Sequence, residues 1–199
     1  MKKFELTSEF VTNIFGTKLF RIKALIEFGN VKAGDLGGYI EKEDNLEHSG
    51  DAWVSGNARV YGDAWVSGNA RVYGNARVYG DAWVSGNAEV YGNAWVSGNA
   101  RVYGNAEVSG NARVYGDACV SGNARVYGNA DFATVHGFGS VYRTTTFFRL
   151  KNGKIGVKCG CFYGDLEQFR EKVTVTHGDS KKAKEYLMLA DLMEYRFLK

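Results

Sequence analysis

Residues 51–68 read DAWVSGNARVYGDAWVSG, and the six-residue phrase within them continues to Ala130 without insertion or deletion. Its form is Ala-x-Val-(Ser/Tyr)-Gly-(Asn/Asp). Valine recurs at every sixth position from Val54 to Val126, and an alanine precedes each of these valines by two residues. An unbroken period this short is typical of a repeat architecture in which each unit stacks on its neighbours.

Each repeat predicts one short strand followed by one turn. The small alanine and valine alternate with larger residues such as Trp53, and a period of two places the small residues on the same side of a strand. The Gly-Asn or Gly-Asp pair that follows tolerates positive φ and turns the chain. A strand this short cannot bury its apolar side alone, so we expect successive turns to stack into a continuous parallel coil.

The phrase resembles the hexapeptide repeat of left-handed parallel β-helices, and the resemblance covers residues 51–130. It implies a mainly β fold, a triangular prism with three repeats per coil, and a left-handed course. Upstream, Ile40 and Leu46 fall on the alanine register, while Lys42 and His48 fall on the valine register. We therefore expect the β-helix to span residues 39–132.

The two ends of the chain are not repetitive, and an open β-helix needs caps because its last coils expose unpaired backbone groups. Residues 1–38 predict an N-terminal β-cap with strands at 4–6 and 19–26. Residues 133–199 predict a C-terminal α+β domain. It begins with a β-hairpin of residues 144–150 and 155–162, because Asn152-Gly153 is a hairpin turn signal.

Two helices are predicted after this hairpin. Asp165 can N-cap the first helix and Gly178 can end it, while Asp179 or Ser180 can start the second. The second helix carries apolar residues at helical spacing, which favours a core or oligomer contact over a ligand site. These residues are Ala183, Leu187, Ala190, Met193 and Phe197.

Composition limits the classes of partner. The net charge of +3 is too small to predict nucleic-acid binding by itself. The sequence shows no signal peptide and no apolar run of membrane-spanning length. Three cysteines are an odd number without a disulfide framework, which favours a reducing cytoplasm. We expect no membrane partner and no cofactor.

Outward residues 18 positions apart fall on a common side of the predicted prism, and one side carries arginine and aromatic residues without an acidic residue. We call this side the arginine face. Arginine binds phosphate or carboxylate, and aromatic rings stack on bases. The face therefore predicts a site for a small anionic, nucleotide-like ligand or a docking surface for an acidic protein. The alternative is a subunit contact in a homotrimer. Its residues are Arg59, Arg77, Trp95 and Arg113, with Tyr61, Tyr79 and Tyr115 beside them.

A second side carries Trp65 one coil before Trp83. Exposed tryptophan usually has a partner, so we expect this pair to form an oligomer contact.

Three further groups of residues are candidates for chemistry. Hexapeptide acyltransferases use a histidine as general base near a loop that projects from the prism, so the resemblance implies this role for His136, the only histidine placed where the repeat breaks down. No projecting loop interrupts residues 51–130, which argues against that activity. Cys159 and Cys161 are placed on one face of a predicted strand, but with His177 they give only three ligands. No metal site is therefore predicted.

The start of the last helix offers a second anion site, because backbone N–H groups there are free to bind a phosphate. Asp179 competes for the same donors as an N-cap. The candidate residues are His177, Ser180, Lys181 and Lys182.

The layout as a whole resembles hexapeptide-repeat proteins encoded by phages and prophages. Residues 31–40 (VKAGDLGGYI), 160–164 (GCFYG) and 176–179 (THGD) carry this resemblance. It implies a counter-defence context in the cytoplasm of an infected or lysogenic bacterium. The resulting hypothesis is a non-enzymatic, homotrimeric protein that sequesters a nucleotide-derived immune signal or blocks a host defence protein. The alternatives are a CoA-dependent acyltransferase using His136 and a structural or adhesion module of a virion.

Overall fold

The computed structural model describes residues 1–138 and 142–198. Its repeat forms thirteen two-residue strands, each made of one outward residue and the valine that follows it. These strands are β4 (Trp53–Val54), β5 (Arg59–Val60), β6 (Trp65–Val66), β7 (Arg71–Val72), β8 (Arg77–Val78), β9 (Trp83–Val84), β10 (Glu89–Val90), β11 (Trp95–Val96), β12 (Arg101–Val102), β13 (Glu107–Val108), β14 (Arg113–Val114), β15 (Cys119–Val120) and β16 (Arg125–Val126).

The repeat strands stack into three parallel ladders. Each repeat strand pairs with the strand three positions later in the chain, so that Val72 lies beside Val90 and Val90 beside Val108. The orders are β5-β8-β11-β14, β4-β7-β10-β13-β16 and β6-β9-β12-β15. The predicted parallel coil with three repeats per turn is confirmed, and the solenoid makes about five turns. The repeat alanines and valines are at most 1% exposed and form its core.

The turns of the solenoid stack as well. Asn69 donates its side-chain N–H to the side-chain oxygen of Asn87 at 3.1 Å, and Asn87 donates to Asn105 at 3.0 Å. A second asparagine ladder runs from Asn57 to Asn111. The turn residues that bend the chain therefore also tie one coil to the next.

The N-terminal segment forms an antiparallel sheet that continues into the solenoid. Its strands are β1 (Phe4–Thr12), β2 (Lys18–Ala24) and β3 (Leu36–Ile40), followed by a 3-10 helix at Glu43–Asn45. The order is β1-β2-β3, and β3 pairs in parallel with β5. The cap sheet thus extends the ladder that carries the arginine face.

The predicted register of Ile40 and Leu46 is wrong. Ile40 pairs with Val60 and Leu46 with Val66, so both occupy valine positions. The reason is that Val54 follows Leu46 by eight residues instead of six. This first coil is two residues longer than the others. His48 consequently does not take a core valine position and stacks on Phe4, with ring centroids 4.3 Å apart.

Side chains satisfy the backbone groups at the first coil. The Lys3 ammonium donates to the carbonyl oxygens of Ala52 at 2.9 Å and Gly50 at 3.2 Å. The Asn45 amide donates to the carbonyls of Ala64 at 2.8 Å and Gly62 at 3.0 Å. These contacts replace the ladder bonds that a further coil would supply.

The C-terminal segment forms a four-stranded antiparallel sheet and two helices. The elements are β17 (Phe132–Phe138), β18 (Arg143–Arg149), β19 (Ile155–Cys159), β20 (Phe162–Asp165), α1 (Leu166–His177) and α2 (Lys181–Phe197). The predicted hairpin is confirmed as β18–β19, but residues 133–138 also form a strand. The sequence did not indicate this strand, because the repeat fails there and β17 gains its partner only from β18.

The predicted helix boundaries are also confirmed. The Asp165 carboxylate accepts a hydrogen bond from the backbone N–H of Gln168, and α1 ends at Gly178. The Ser180 hydroxyl caps α2 by accepting from the Ala183 N–H. The helices pack on the sheet through a second core that includes Phe169. No helix in the described ranges is long and apolar enough to cross a membrane.

The last coil is also covered. The Thr146 side-chain oxygen of β18 accepts from the Cys119 N–H at 2.9 Å. Leu150 forms an antiparallel bridge with Ala124. The C-terminal sheet therefore sits on the end of the solenoid, and this fixes where α2 lies relative to the repeat faces.

Candidate functional site

The arginine face lies on one ladder of the solenoid, as the family resemblance implies. Arg59, Arg77, Trp95 and Arg113 are direct neighbours in the parallel ladder of β5, β8, β11 and β14. Tyr61 and Tyr79 stack with ring centroids 5.0 Å apart and ring planes 3° from parallel. The face is a continuous row of cations and aromatic rings along the solenoid.

Trp95 lies between two guanidinium groups from the coils on either side. The Arg77 Cζ is 5.0 Å and the Arg113 Cζ is 4.8 Å from the centre of the Trp95 ring. Both distances fall within the range of attractive cation–π contacts. The two arginines are thereby held in place, and a ligand base has to stack on other rings of this face.

The last turns of α2 wall one end of the arginine face. Together with β17 and the solenoid they enclose a cleft of about 1030 Å³, which we call the helix cleft. Two guanidinium groups and several aromatic rings line it, and no carboxylate does among the described residues. The lining includes Tyr79, Trp95, Arg113 and Tyr115 from the solenoid, Phe132 and Thr134 from β17, and Leu192, Tyr195 and Arg196 from α2.

Tyr195 and Arg196 were not predicted as site residues. They lie between Met193 and Phe197, which are buried in the second core. The helical stripe of the sequence shows only that Tyr195 and Arg196 are off the buried side. It does not show that this side of α2 faces the solenoid.

The tip of the β1–β2 hairpin walls the other end of the arginine face. It forms a smaller cleft of about 160 Å³, which we call the hairpin cleft. The Asn13 side-chain oxygen fixes the tip by accepting from the N–H groups of Phe15 at 2.9 Å and Thr17 at 3.0 Å. Its lining comprises Thr12, Asn13, Ile14 and Phe15 with Arg59, Tyr61, Arg77, Tyr79 and Trp95.

The Tyr61 phenol of the arginine face is a hydrogen-bond donor at neutral pH. Burial raises the pKa of the Tyr61 phenol above its usual value, and the neighbouring Tyr79 adds to this effect. A raised phenol pKa keeps the proton on oxygen. The face therefore presents donors and cations to a ligand, which suits an anion.

His136 lies outside both clefts. It is exposed on β17, and its Nδ1 is 3.0 Å from the Thr144 hydroxyl oxygen. Thr134, two residues earlier on the same strand, does line the helix cleft. The hydrogen bond orients the imidazole away from any role in the two clefts described above.

The candidate residues at the start of α2 are largely engaged in structure. The His177 ring stacks on Tyr186 at 5.9 Å, and the Ser180 hydroxyl serves as the helix cap. Lys181 reaches Glu185 at 3.9 Å, and Lys182 is exposed. Ser180 thus plays the capping role that the sequence gave as the alternative to an anion site.

Cys159 and Cys161 do not lie on one strand, contrary to the prediction. Cys159 ends β19 and Cys161 lies in the turn before β20, because the chain reverses at Gly160. Within residues 1–138 and 142–198, no group of three or more His, Cys, Asp or Glu side chains is placed to hold a metal ion.

The predicted tryptophan stack on the third ladder is confirmed. The rings of Trp65 and Trp83 are 5.2 Å apart and 22° from parallel, and they are 39% and 37% exposed. Arg101 lies over Trp83 at 5.8 Å. Whether this stack is an oligomer contact stays a prediction.

Four segments of the chain match the family model described as the YdcK β-solenoid repeat: residues 52–68, 70–86, 94–109 and 106–122. They cover about a third of the chain and all lie within the repeat. The match and the three parallel ladders together define a β-helix repeat protein. No curated protein sequence matches the chain.

Proposed function

We propose that this chain is a non-enzymatic binding protein whose helix cleft holds a small anionic ligand with an aromatic part, as in a nucleotide. The observation that carries the proposal is the cleft itself. It places the guanidinium groups of Arg113 and Arg196 beside exposed aromatic rings, without a carboxylate among the described lining residues. Its volume of about 1030 Å³ is at the upper end of the range for small-molecule sites.

The chemistry of the cleft suits a phosphate joined to a base. A guanidinium binds phosphate through two parallel hydrogen bonds. Arg113 is already stacked on Trp95, so less side-chain entropy is lost when it binds. The rings of Tyr115 and Tyr195 are 62% and 76% exposed and can stack on a base.

Isothermal titration with a panel of nucleotides tests this proposal. We expect Arg113→Gln to weaken binding by about tenfold or more, as for loss of a charge-assisted hydrogen bond. Arg101→Gln is the matched control, because Arg101 also lies over a tryptophan, but on another face. Unchanged melting temperatures establish that both variants fold. A panel without any binding, or equal losses in the two variants, refutes the assignment.

The biological setting of the proposal comes from the resemblance to phage-encoded repeat proteins. In that setting the protein is a homotrimer in the bacterial cytoplasm that sequesters a nucleotide-derived immune signal. Native mass spectrometry of protein purified from phage-exposed and unexposed cells tests both parts. An adduct of a few hundred daltons that appears only after exposure supports sequestration. A clean oligomer in both samples favours direct blocking of a host defence protein, which a pull-down then tests.

The acyltransferase alternative requires a histidine at the bound substrate. His136 is exposed, bonded to Thr144 and outside both clefts, so the geometry does not favour it. Acetyl-CoA turnover that disappears in His136→Ala would establish it. The structural or adhesion alternative predicts that Arg77→Ala and Trp95→Ala either change the assembly of the protein or have no effect. In neither case does it predict a change in ligand affinity.

A further inference from the structure

The helix cleft and the hairpin cleft share a wall. Tyr79 and Trp95 line both of them. Arg77 lies one coil before Trp95 and lines the hairpin cleft. Arg113 lies one coil after Trp95 and lines the helix cleft. The two clefts are therefore two halves of one continuous groove along the arginine face.

The halves offer the same chemical groups on either side of Trp95. The hairpin cleft contains Arg77 and the Phe15 ring, which is 78% exposed. The helix cleft contains Arg113 and the exposed ring of Tyr115. Each half thus has one stacked guanidinium and one ring without a face-to-face partner in the described structure, which is what one nucleotide unit requires.

The distance between the two guanidinium groups limits the ligand. Because the Cζ atoms of Arg77 and Arg113 are 5.0 and 4.8 Å from the same ring centre, they lie within about 10 Å of each other. Two successive phosphates of a short nucleotide chain can bridge that span. A mononucleotide carries its phosphates together and reaches only one half.

The size of the hairpin cleft agrees with a single ring. Its volume is about 160 Å³. A cavity of about 150 Å³ holds one benzene ring. The larger helix cleft has room for a base, its ribose and the second phosphate.

We propose that the ligand of this groove is a dinucleotide, with one base in each cleft and its two phosphates on Arg77 and Arg113. This proposal rests on the proposed function, since it specifies the ligand class for the same surface. It assigns to Phe15, a loop residue of the N-terminal hairpin, the role of determining specificity for two-base ligands.

Titration with uridine 5′-monophosphate and the 5′-phosphorylated dinucleotide pUpU, whose bases are single rings, at one fixed ionic strength, tests the proposal. We expect the dinucleotide to bind at least about tenfold more tightly, because the second contact is intramolecular once the first has formed. Phe15→Ala should lower the affinity for the dinucleotide to that of the mononucleotide. The affinity for the mononucleotide should fall much less, because a mononucleotide can still bind in the helix cleft, which Phe15 does not line.

Phe10→Ala is the matched control, because Phe10 is an exposed phenylalanine of the same hairpin outside the cleft lining. It should change neither affinity. If both nucleotides bind equally, or if Phe15→Ala affects neither, the dinucleotide proposal is wrong and the proposed function stands. If neither nucleotide binds, the dinucleotide proposal is wrong for this base, and titration with the full nucleotide panel decides the proposed function.

Discussion

Gly86 and Gly104 occupy the same turn on successive coils, and a Cβ on Gly86 would lie 3.0 Å from the Gly104 backbone nitrogen. Both residues have positive φ, +66° and +75°. Such turns require glycine for two separate reasons. The first is the left-handed backbone conformation, and the second is the close approach of the next coil.

The two reasons can be separated by comparing Gly86→Ala with Gly116→Ala. Gly116 has nearly the same φ, +65°, but no atom of the described residues lies within 4 Å of the position its Cβ would take. We expect Gly116→Ala to cost about 1–2 kcal/mol for the backbone alone. Gly86→Ala should cost measurably more, because the neighbouring coil must shift. Urea unfolding of both variants measures the difference, and equal costs would mean that coil contact is unimportant at this turn.

Ala88→Leu should destabilise the protein by about 1–3 kcal/mol or more, because the narrow interior cannot accept the added carbons without strain. Ala88 is completely buried in the solenoid core. Tyr91→Leu is the control, since Tyr91 is half-buried and points outward against Tyr73. Its cost should be clearly smaller. An unchanged melting temperature for Ala88→Leu would contradict the inward placement of the alanine column.

Asn87→Ala should remove two side-chain hydrogen bonds at once, because Asn87 accepts from Asn69 and donates to Asn105. The site is exposed and water replaces part of the loss, so we expect a cost of about 0.5–1.5 kcal/mol. Asn99→Ala is the comparison, since Asn99 donates to Asp117 at a different turn of the coil. Thermal unfolding measures both. If neither variant is destabilised, the asparagine ladders contribute nothing to stability.

Lys3 should titrate far below an ordinary lysine. Burial lowers its pKa from 10.5 to about 8, while Glu47 and Asp51 partly oppose the shift. Between pH 8 and 10.5 the unfolded chain keeps the proton that the folded chain has lost. The contribution of Lys3 to the free energy of unfolding should therefore rise with pH across this window. Below pH 8 both states are protonated, and the folded state bears the whole cost of burying the charge.

NMR titration of the Lys3 side chain should show a midpoint near pH 8, and a midpoint above 10 would contradict this assignment. The stability measurement uses Lys3→Met as its reference. Subtracting the free energy of unfolding of Lys3→Met from that of the wild type removes the pH dependence of the groups that the two proteins share. A wild-type protein that gains no stability relative to Lys3→Met between pH 8 and 10.5 would also argue against it.

Much of the solenoid was predictable because its contacts repeat. A period of six with small residues at two positions determines which residues face inward. The three repeats per coil that the family resemblance implies place Arg77, Trp95 and Arg113 in one column. The prediction was wrong for Ile40 and Leu46, where two additional residues before Val54 shift the register. An irregular coil gives no periodic signal, so only the pairing with Val60 and Val66 reveals it.

The two walls of the candidate site were not predictable in the same way. The sequence predicts that Phe15 lies in a turn and that Tyr195 is exposed on a helix. Neither prediction shows which surface these side chains face. A helical stripe shows which side of α2 is buried but not the surface on which it packs. That surface depends on how the C-terminal sheet sits on the last coil through Thr146 and Leu150.

The sequence by itself determined the parallel coil, the inward alanines and valines, and the row of arginine and aromatic side chains. The inward positions follow from local alternation and a constant period, so each repeat carries the same information. The row follows once three repeats per coil are taken from the family resemblance. The tertiary structure alone decided that this row becomes a groove between the β1–β2 hairpin and α2. The physical reason is that both walls dock through contacts between residues far apart in the chain, and such packing leaves no local pattern.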